Sequence, residues 1–79
     1  MDIYLVEDDP IYAEFIKKSL GQNPDYRITT FGSAEDAEKA MGAKVPEVVI
    51  VDYKLPGMSG IDFYERIRPK ITDDNKVIM

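Results

Sequence analysis

Short apolar runs alternate along this chain with stretches whose apolar residues recur at helical spacing. Ile3 to Val6 is unbroken and apolar, the mark of a buried strand. Asp9-Pro10 supplies a helix start, since Asp can cap free amides and Pro is favoured at the first helical position. Tyr12, Phe15, Ile16 and Leu20 follow at i, i+3, i+4 and i+8, which predicts one core-facing helical face, stopped at Gly21. Asn23-Pro24-Asp25 is turn material. Tyr26 to Phe31 is β-branched and aromatic and reads as a second strand. Ser33 with Asp36 three residues on has the spacing of a capping box. Ala34, Ala37 and Met41 then share a helical face, closed by Gly42.

Val48 to Val51 is the most continuous apolar stretch, as expected of a central strand covered on both faces. Tyr53 to Ser59 reads as a loop around Pro56-Gly57. Ile61, Phe63, Tyr64 and Ile67 make a third helical pattern that stops near Pro69, and Lys76 to Met79 opens a fourth strand. No repeat or low-complexity tract interrupts this βαβαβαβ order. It calls for an α/β fold with a parallel sheet and right-handed crossovers. The aromatic residues at helical spacing are expected in the core.

Candidate chemistry sits where apolar runs turn acidic. The first strand runs into Glu7, Asp8 and Asp9; the third runs into Asp52. In a parallel α/β sheet the carboxyl ends of neighbouring strands meet, and ligands bind in the crevice beyond them. Two such strands side by side would gather Glu7, Asp8 and Asp52 into one pocket. Like charges that close repel unless a hard cation or protons neutralise them. Oxygen-only ligands point to Mg²⁺. Asp9 reads as a helix cap. Asp73-Asp74-Asn75 lacks the Gly and terminal Glu of a calcium loop and reads as solvated.

Composition narrows the class. Seventy-nine residues make one domain at most, with ten basic and fifteen acidic residues and a net charge of −5. That balance argues against nucleic acid as a partner. The chain has no cysteine and no histidine, which removes disulfides, thiolate metal sites and the commonest transition-metal ligand. No apolar run approaches a membrane span and no signal peptide precedes the first strand, so a cytoplasmic location is expected.

Two segments, VEDD at Val6 to Asp9 and VDYKLPGMSG at Val51 to Gly60, resemble the receiver domain of bacterial response regulators. The resemblance runs from Met1 to Met79 and implies a flavodoxin-like doubly wound sheet, of order 2-1-3-4-5 in the complete family. It covers four of the family's five strands, so residues 1–79 are expected to be the N-terminal part of such a domain. It also implies that Asp52 accepts a phosphoryl group from a histidine kinase or phosphotransfer protein. Asp8 and Asp52 would ligate Mg²⁺ directly, Glu7 would act through a metal-bound water, and the Lys54 backbone carbonyl would complete the set.

A Ser or Thr past the fourth strand and a Lys ending the fifth are implied too, and both would lie beyond Met79. Lys54, Lys70 and Lys76 cannot replace that Lys by sequence position. A phosphoacceptor signalling module rather than an enzyme is therefore the expectation. A receiver-like scaffold that binds partners without phosphorylation is one alternative. An aspartate-nucleophile phosphatase is another, although its second acid is expected two residues after the nucleophile, where this chain has Lys54. The fourth strand, at the sheet edge, is expected to be open to self-association.

Overall fold

The computed structural model describes residues 1–79 except Tyr53 and Pro56, and only the backbone of Lys54. The elements are β1 (Asp2–Val6), α1 (Pro10–Leu20), β2 (Arg27–Phe31), α2 (Ala34–Met41), β3 (Val48–Val51), β4 (Lys54–Leu55), β5 (Met58–Ser59), α3 (Gly60–Ile67) and β6 (Lys76–Ile78), with a 3₁₀ turn at Arg68–Lys70 that carries Pro69. The main sheet is parallel, in the order β2-β1-β3-β6. Its first three positions are those of the expected doubly wound order.

Local chemistry accounts for the helix starts. The Asp9 carboxylate accepts hydrogen bonds from the amides of Ile11 and Tyr12, at 3.0 and 3.4 Å, with Pro10 in the first turn. Ser33 accepts from the Asp36 amide at 3.2 Å. Ser59 does the same for α3, accepting from Asp62 at 3.1 Å. The Ser59-x-x-Asp62 spacing matches that of Ser33-x-x-Asp36, a helix signal the Tyr53–Ser59 loop reading passed over. That segment is not simply a loop. Lys54–Leu55 and Met58–Ser59 pair antiparallel, and Gly57, at φ 76°, adopts the left-handed backbone that lets the chain reverse between them. Tyr53 and Pro56 fall outside the described residues.

The two faces of the sheet are covered unequally. On one, Val6, Val49 and Val51 pack against Ala34, Ala37 and Met41 of α2 and Phe63 and Ile67 of α3, with Leu55 of the hairpin closing the cluster. Phe63 and Ile67 are fully buried. An ion pair at 2.9 Å between Arg66 and Glu38 ties α3 to α2. On the other face α1 packs over β1 and β2. Only Ala13 of α1 is buried; Ile16 and Leu20 are half-buried.

Two expectations are corrected here. Tyr12 and Phe15 are not core: they are 54% and 66% exposed, because α1 lies along one side of the sheet rather than across it. Nor is β3 covered on both faces. Val49 and Val51 are buried while Val48 and Ile50 are half-buried, an alternation that marks one packed and one partly open face.

Candidate functional site

Register builds the site. Val6 lies level with Phe31 of β2 and Val51 of β3, so the chain leaves β1 and β3 at the same height. Two backbone hydrogen bonds carry that alignment one residue further. The Glu7 amide donates to the Phe31 carbonyl and the Asp52 amide to the Val6 carbonyl, each at 3.0 Å. Glu7 and Asp52 are therefore pinned by neighbouring strands before their side chains are considered.

The result is the cluster expected from the strand ends. Glu7, Asp8 and Asp52 each offer a carboxylate oxygen, and these oxygens lie within 4.8 Å of one another. Glu7 is buried, Asp52 half-buried and Asp8 exposed. The Asp9 amide donates to Glu7 Oε1 at 3.2 Å, which orients that carboxylate. Asp9 itself turns to the α1 amides and stays outside the cluster, as a cap should. Lys54 starts β4 two residues after Asp52, paired with Ser59. Asp73 and Asp74 precede β6, at the opposite end of the sheet from the cluster, consistent with a solvated turn.

The electrostatics suit a cation. Burial, together with the negative charges of Asp52 and Asp8, holds the Glu7 carboxyl above its ordinary pKa, against the opposing hydrogen bond from Asp9. Two unit negative charges at 4.8 Å repel by on the order of 3 kcal/mol at an effective dielectric of about 20. A divalent ion among them removes that penalty. All donors are oxygens in a chain without histidine or cysteine, which suits a hard cation such as Mg²⁺. Beside the cluster, an open cleft of about 290 Å³ runs between Tyr12 and Ile16 of α1 and the Ile50, Asp52, Ile78 side of the sheet. This cleft was not anticipated. Its signal is the pair Ile50 and Ile78, apolar positions level with each other on the strands next to those α1 packs over.

Known proteins share this fold. The family model for the response regulator receiver domain matches residues 3–79. A probable transcriptional regulatory protein of Mycobacterium tuberculosis, TcrX, is 35% identical over 66 residues, covering 84% of this chain and 28% of that protein. The response regulator TrrA of Thermotoga maritima, solved in complex with Mg²⁺-BeF, superposes with a TM-score of 0.86 at 33% identity. That match covers 99% of this chain and 66% of TrrA. TrrA in complex with the histidine kinase ThkA gives a TM-score of 0.83 at 33% identity, over 96% of this chain and 64% of that one. The chain thus spans under a third of the length of TcrX and just under two thirds of these solved chains. With the family model matched along nearly its whole length and the same fold in the solved relatives, the chain belongs to the response regulator receiver domain family.

Proposed function

We propose that this chain is the N-terminal part of a receiver domain in which Asp52 is the phosphoacceptor, served by a phosphorylated histidine kinase or phosphotransfer protein. The carrying observation is the convergence of Glu7, Asp8 and Asp52 within 4.8 Å at the carboxyl ends of adjacent parallel strands. Asp8 and Asp52 would hold Mg²⁺ directly, Glu7 through a water, and the Lys54 carbonyl would add a third direct protein oxygen. Bound there, the ion supplies neutralisation of the charge that builds on the phosphoryl oxygens.

The rest of the chemistry belongs to the chain's own residues. An Asp52 carboxylate oxygen attacks phosphorus in line, the N–P bond of the donor phosphohistidine breaks, and its electron pair returns to the imidazole nitrogen. The product is an acyl phosphate. Pinning of the Asp52 amide to the Val6 carbonyl keeps the nucleophile in place, so orientation is set before the donor arrives. Phosphorylation adds about −1.5 to −2 charge beside two carboxylates, and that added charge is the switch signal. The donor protein supplies the phosphoryl group and this chain supplies the acceptor, which makes it a signalling module and not an enzyme. The phosphatase reading is weaker, since the position two residues after Asp52 holds Lys54 in place of an acid.

Incubation with Mg²⁺ and a small acyl phosphate donor, then hydride reduction and peptide mass spectrometry, tests the assignment. Label on Asp52 alone is expected, and Asp52→Asn should abolish it. Label on Asp8 or Asp62 would move the acceptor elsewhere.

A further inference from the structure

β2 is the outermost strand of the main sheet, and its outer edge belongs to the fold itself. In the doubly wound order 2-1-3-4-5 it stays outermost whatever strands follow β6. The Arg27 amide donates to the Met1 carbonyl at 2.7 Å, and the Phe31 carbonyl accepts from the Glu7 amide at 3.0 Å. Arg27, Thr29 and Phe31 thus turn their backbone groups toward β1. Successive residues of a strand face opposite edges, so Ile28 and Thr30 turn N–H and C=O outward. Among the described residues no strand pairs with that side. Sheet edges are usually blunted by proline, a bulge or a charge. β2 has no proline, its register with β1 is unbroken, and its one charged residue, Arg27, sits at its start beside Asp2.

On the α1 side of this edge lies an open groove of about 360 Å³. Ile28 and Tyr26 line it from the strand, and Glu14, Lys17 and Lys18 line it from α1. Glu14 also borders the neighbouring hollow beside Thr30, whereas Lys17 and Lys18 border only the Tyr26 end. The α1 flank is therefore acidic on the carboxyl side of Ile28 and basic on the amino side, and all three charged residues are exposed.

We infer that a second copy of this chain docks antiparallel along β2, about a two-fold axis at Ile28, and covers this groove. An isologous contact must match itself under the two-fold. At Ile28 the backbone does so. Its outward N–H donates to the partner's Ile28 carbonyl and its own carbonyl accepts in return, as in a hydrogen-bonded antiparallel pair. Each Thr30 N–H then meets the partner's Tyr26 carbonyl, while the Tyr26 amide keeps its bond to Asn23 at 3.1 Å. Arg27 falls opposite the partner's Thr29, so no like charges face each other within the pair.

Charge selects a second copy as the occupant and fixes the register. The two-fold stands perpendicular to the sheet, which keeps both α1 helices on one side with the paired Ile28 side chains between them. It also exchanges the ends of the groove. Each Glu14 is brought toward the partner's Lys17 and Lys18, a match that the chain makes with itself. An axis one residue on, at Thr29, would instead bring the two Glu14 side chains together, because Glu14 borders both Ile28 and Thr30.

Sedimentation equilibrium of the chain, from micromolar to millimolar concentration, should give a monomer–dimer equilibrium. Glu14→Lys sets cations against the partner's Lys17 and Lys18 and should weaken the dimer about tenfold or more. Adding Lys17→Glu and Lys18→Glu to that variant restores opposite charges in exchanged positions, and the dimer should return. Ile28→Pro removes an N–H that β1 does not use, at an edge position where Pro is tolerated. It should sediment as a monomer that still melts cooperatively. Ile78→Lys, on β6 at the other side of the sheet, should leave the equilibrium unchanged. A wild-type chain that stays monomeric at every concentration overturns the inference. So does a dimer that Glu14→Lys leaves intact, one that the charge exchange fails to restore, or one that Ile78→Lys abolishes.

Discussion

The two ends of the parallel sheet treat acidic residues in opposite ways. At the amino end, Asp2 is met by cations: Lys44 Nζ lies 2.5 Å from its carboxylate and the Arg27 guanidinium 3.5 Å. The backbone there is tied as well, with the Asp2 amide donating to the Glu47 carboxylate and the Met1 ammonium to the Asp25 carbonyl. At the carboxyl end, three carboxylates crowd within 4.8 Å of one another, one of them buried. Lys44, chiefly through its hydrogen bond, holds the Asp2 carboxyl below the usual carboxylate range, while burial and like charge push Glu7 up. Acids of the same type are thus matched where they hold the sheet together. At the other end of the sheet acids are instead gathered beside one another. Clustered like charges of this kind are a feature that functional positions often share.

Metal should break the contrast most strongly. Mg²⁺ at ten times its dissociation constant should stabilise the chain by about 1.4 kcal/mol through mass action. Asp8→Asn should remove most of that response, read as the shift in melting temperature on adding Mg²⁺. An unchanged shift would take Asp8 out of the site. Asp2→Asn should leave the response as it is.

Neutralising the buried acid comes next. Glu7→Gln keeps an acceptor for the Asp9 amide and removes one charge from the cluster. It should stabilise the metal-free chain at neutral pH, by up to about 1 kcal/mol on the scale of ordinary single substitutions, while weakening the Mg²⁺ response. The raised Glu7 pKa means that the folded state holds its proton longer than the unfolded one. This residue's contribution is therefore full below its ordinary value of 4.5 and falls away as pH rises through the higher folded value. Melting curves between pH 4 and 7 should be flatter for Glu7→Gln; equal slopes would count against burial as the cause.

The smallest effect is expected at the matched end. The lowered Asp2 pKa gives stability that is present above the ordinary 3.8 and is lost as pH falls through the lower folded value, the reverse of Glu7. Its partners Lys44 and Arg27 are mostly exposed, so solvent and salt screen the pairs. Asp2→Asn should cause a slight loss of melting temperature at low salt that vanishes at high salt. A loss that persists in high salt would show that backbone ordering around Asp2 matters more than its charge.

Much of this molecule was legible in one dimension because its signals are local. Asp9-Pro10 and Ser33-x-x-Asp36 announce helix starts through hydrogen bonds that span two or three residues. Val48 to Val51 announces a strand by composition alone. The acids after β1 and β3 were readable as neighbours because a parallel sheet must bring adjacent carboxyl ends together. Glu7, Asp8 and Asp52 are accordingly found as one cluster.

What needed the tertiary structure is whatever depends on who covers whom. Helical spacing places Tyr12, Phe15 and Ile16 on one face, yet it cannot say that α1 lies over β1 and β2 and leaves Phe15 in solvent. An apolar run marks β3 as a strand without revealing that Ile50 looks into an open cleft while Val49 meets a full core. The Lys54–Leu55 hairpin with Met58–Ser59 escaped notice because two-residue strands are too short to show a period. The burial of Glu7, and with it the raised pKa, arises from strand register, which ties its amide to Phe31 and sets its carboxylate beside Asp52. Sequence carried the elements and the identity of the acids, which rest on short-range propensity and on residue chemistry. Packing decided their exposure and raised the pKa of Glu7, because solvent access and electrostatic energy depend on distances that only the assembled chain defines.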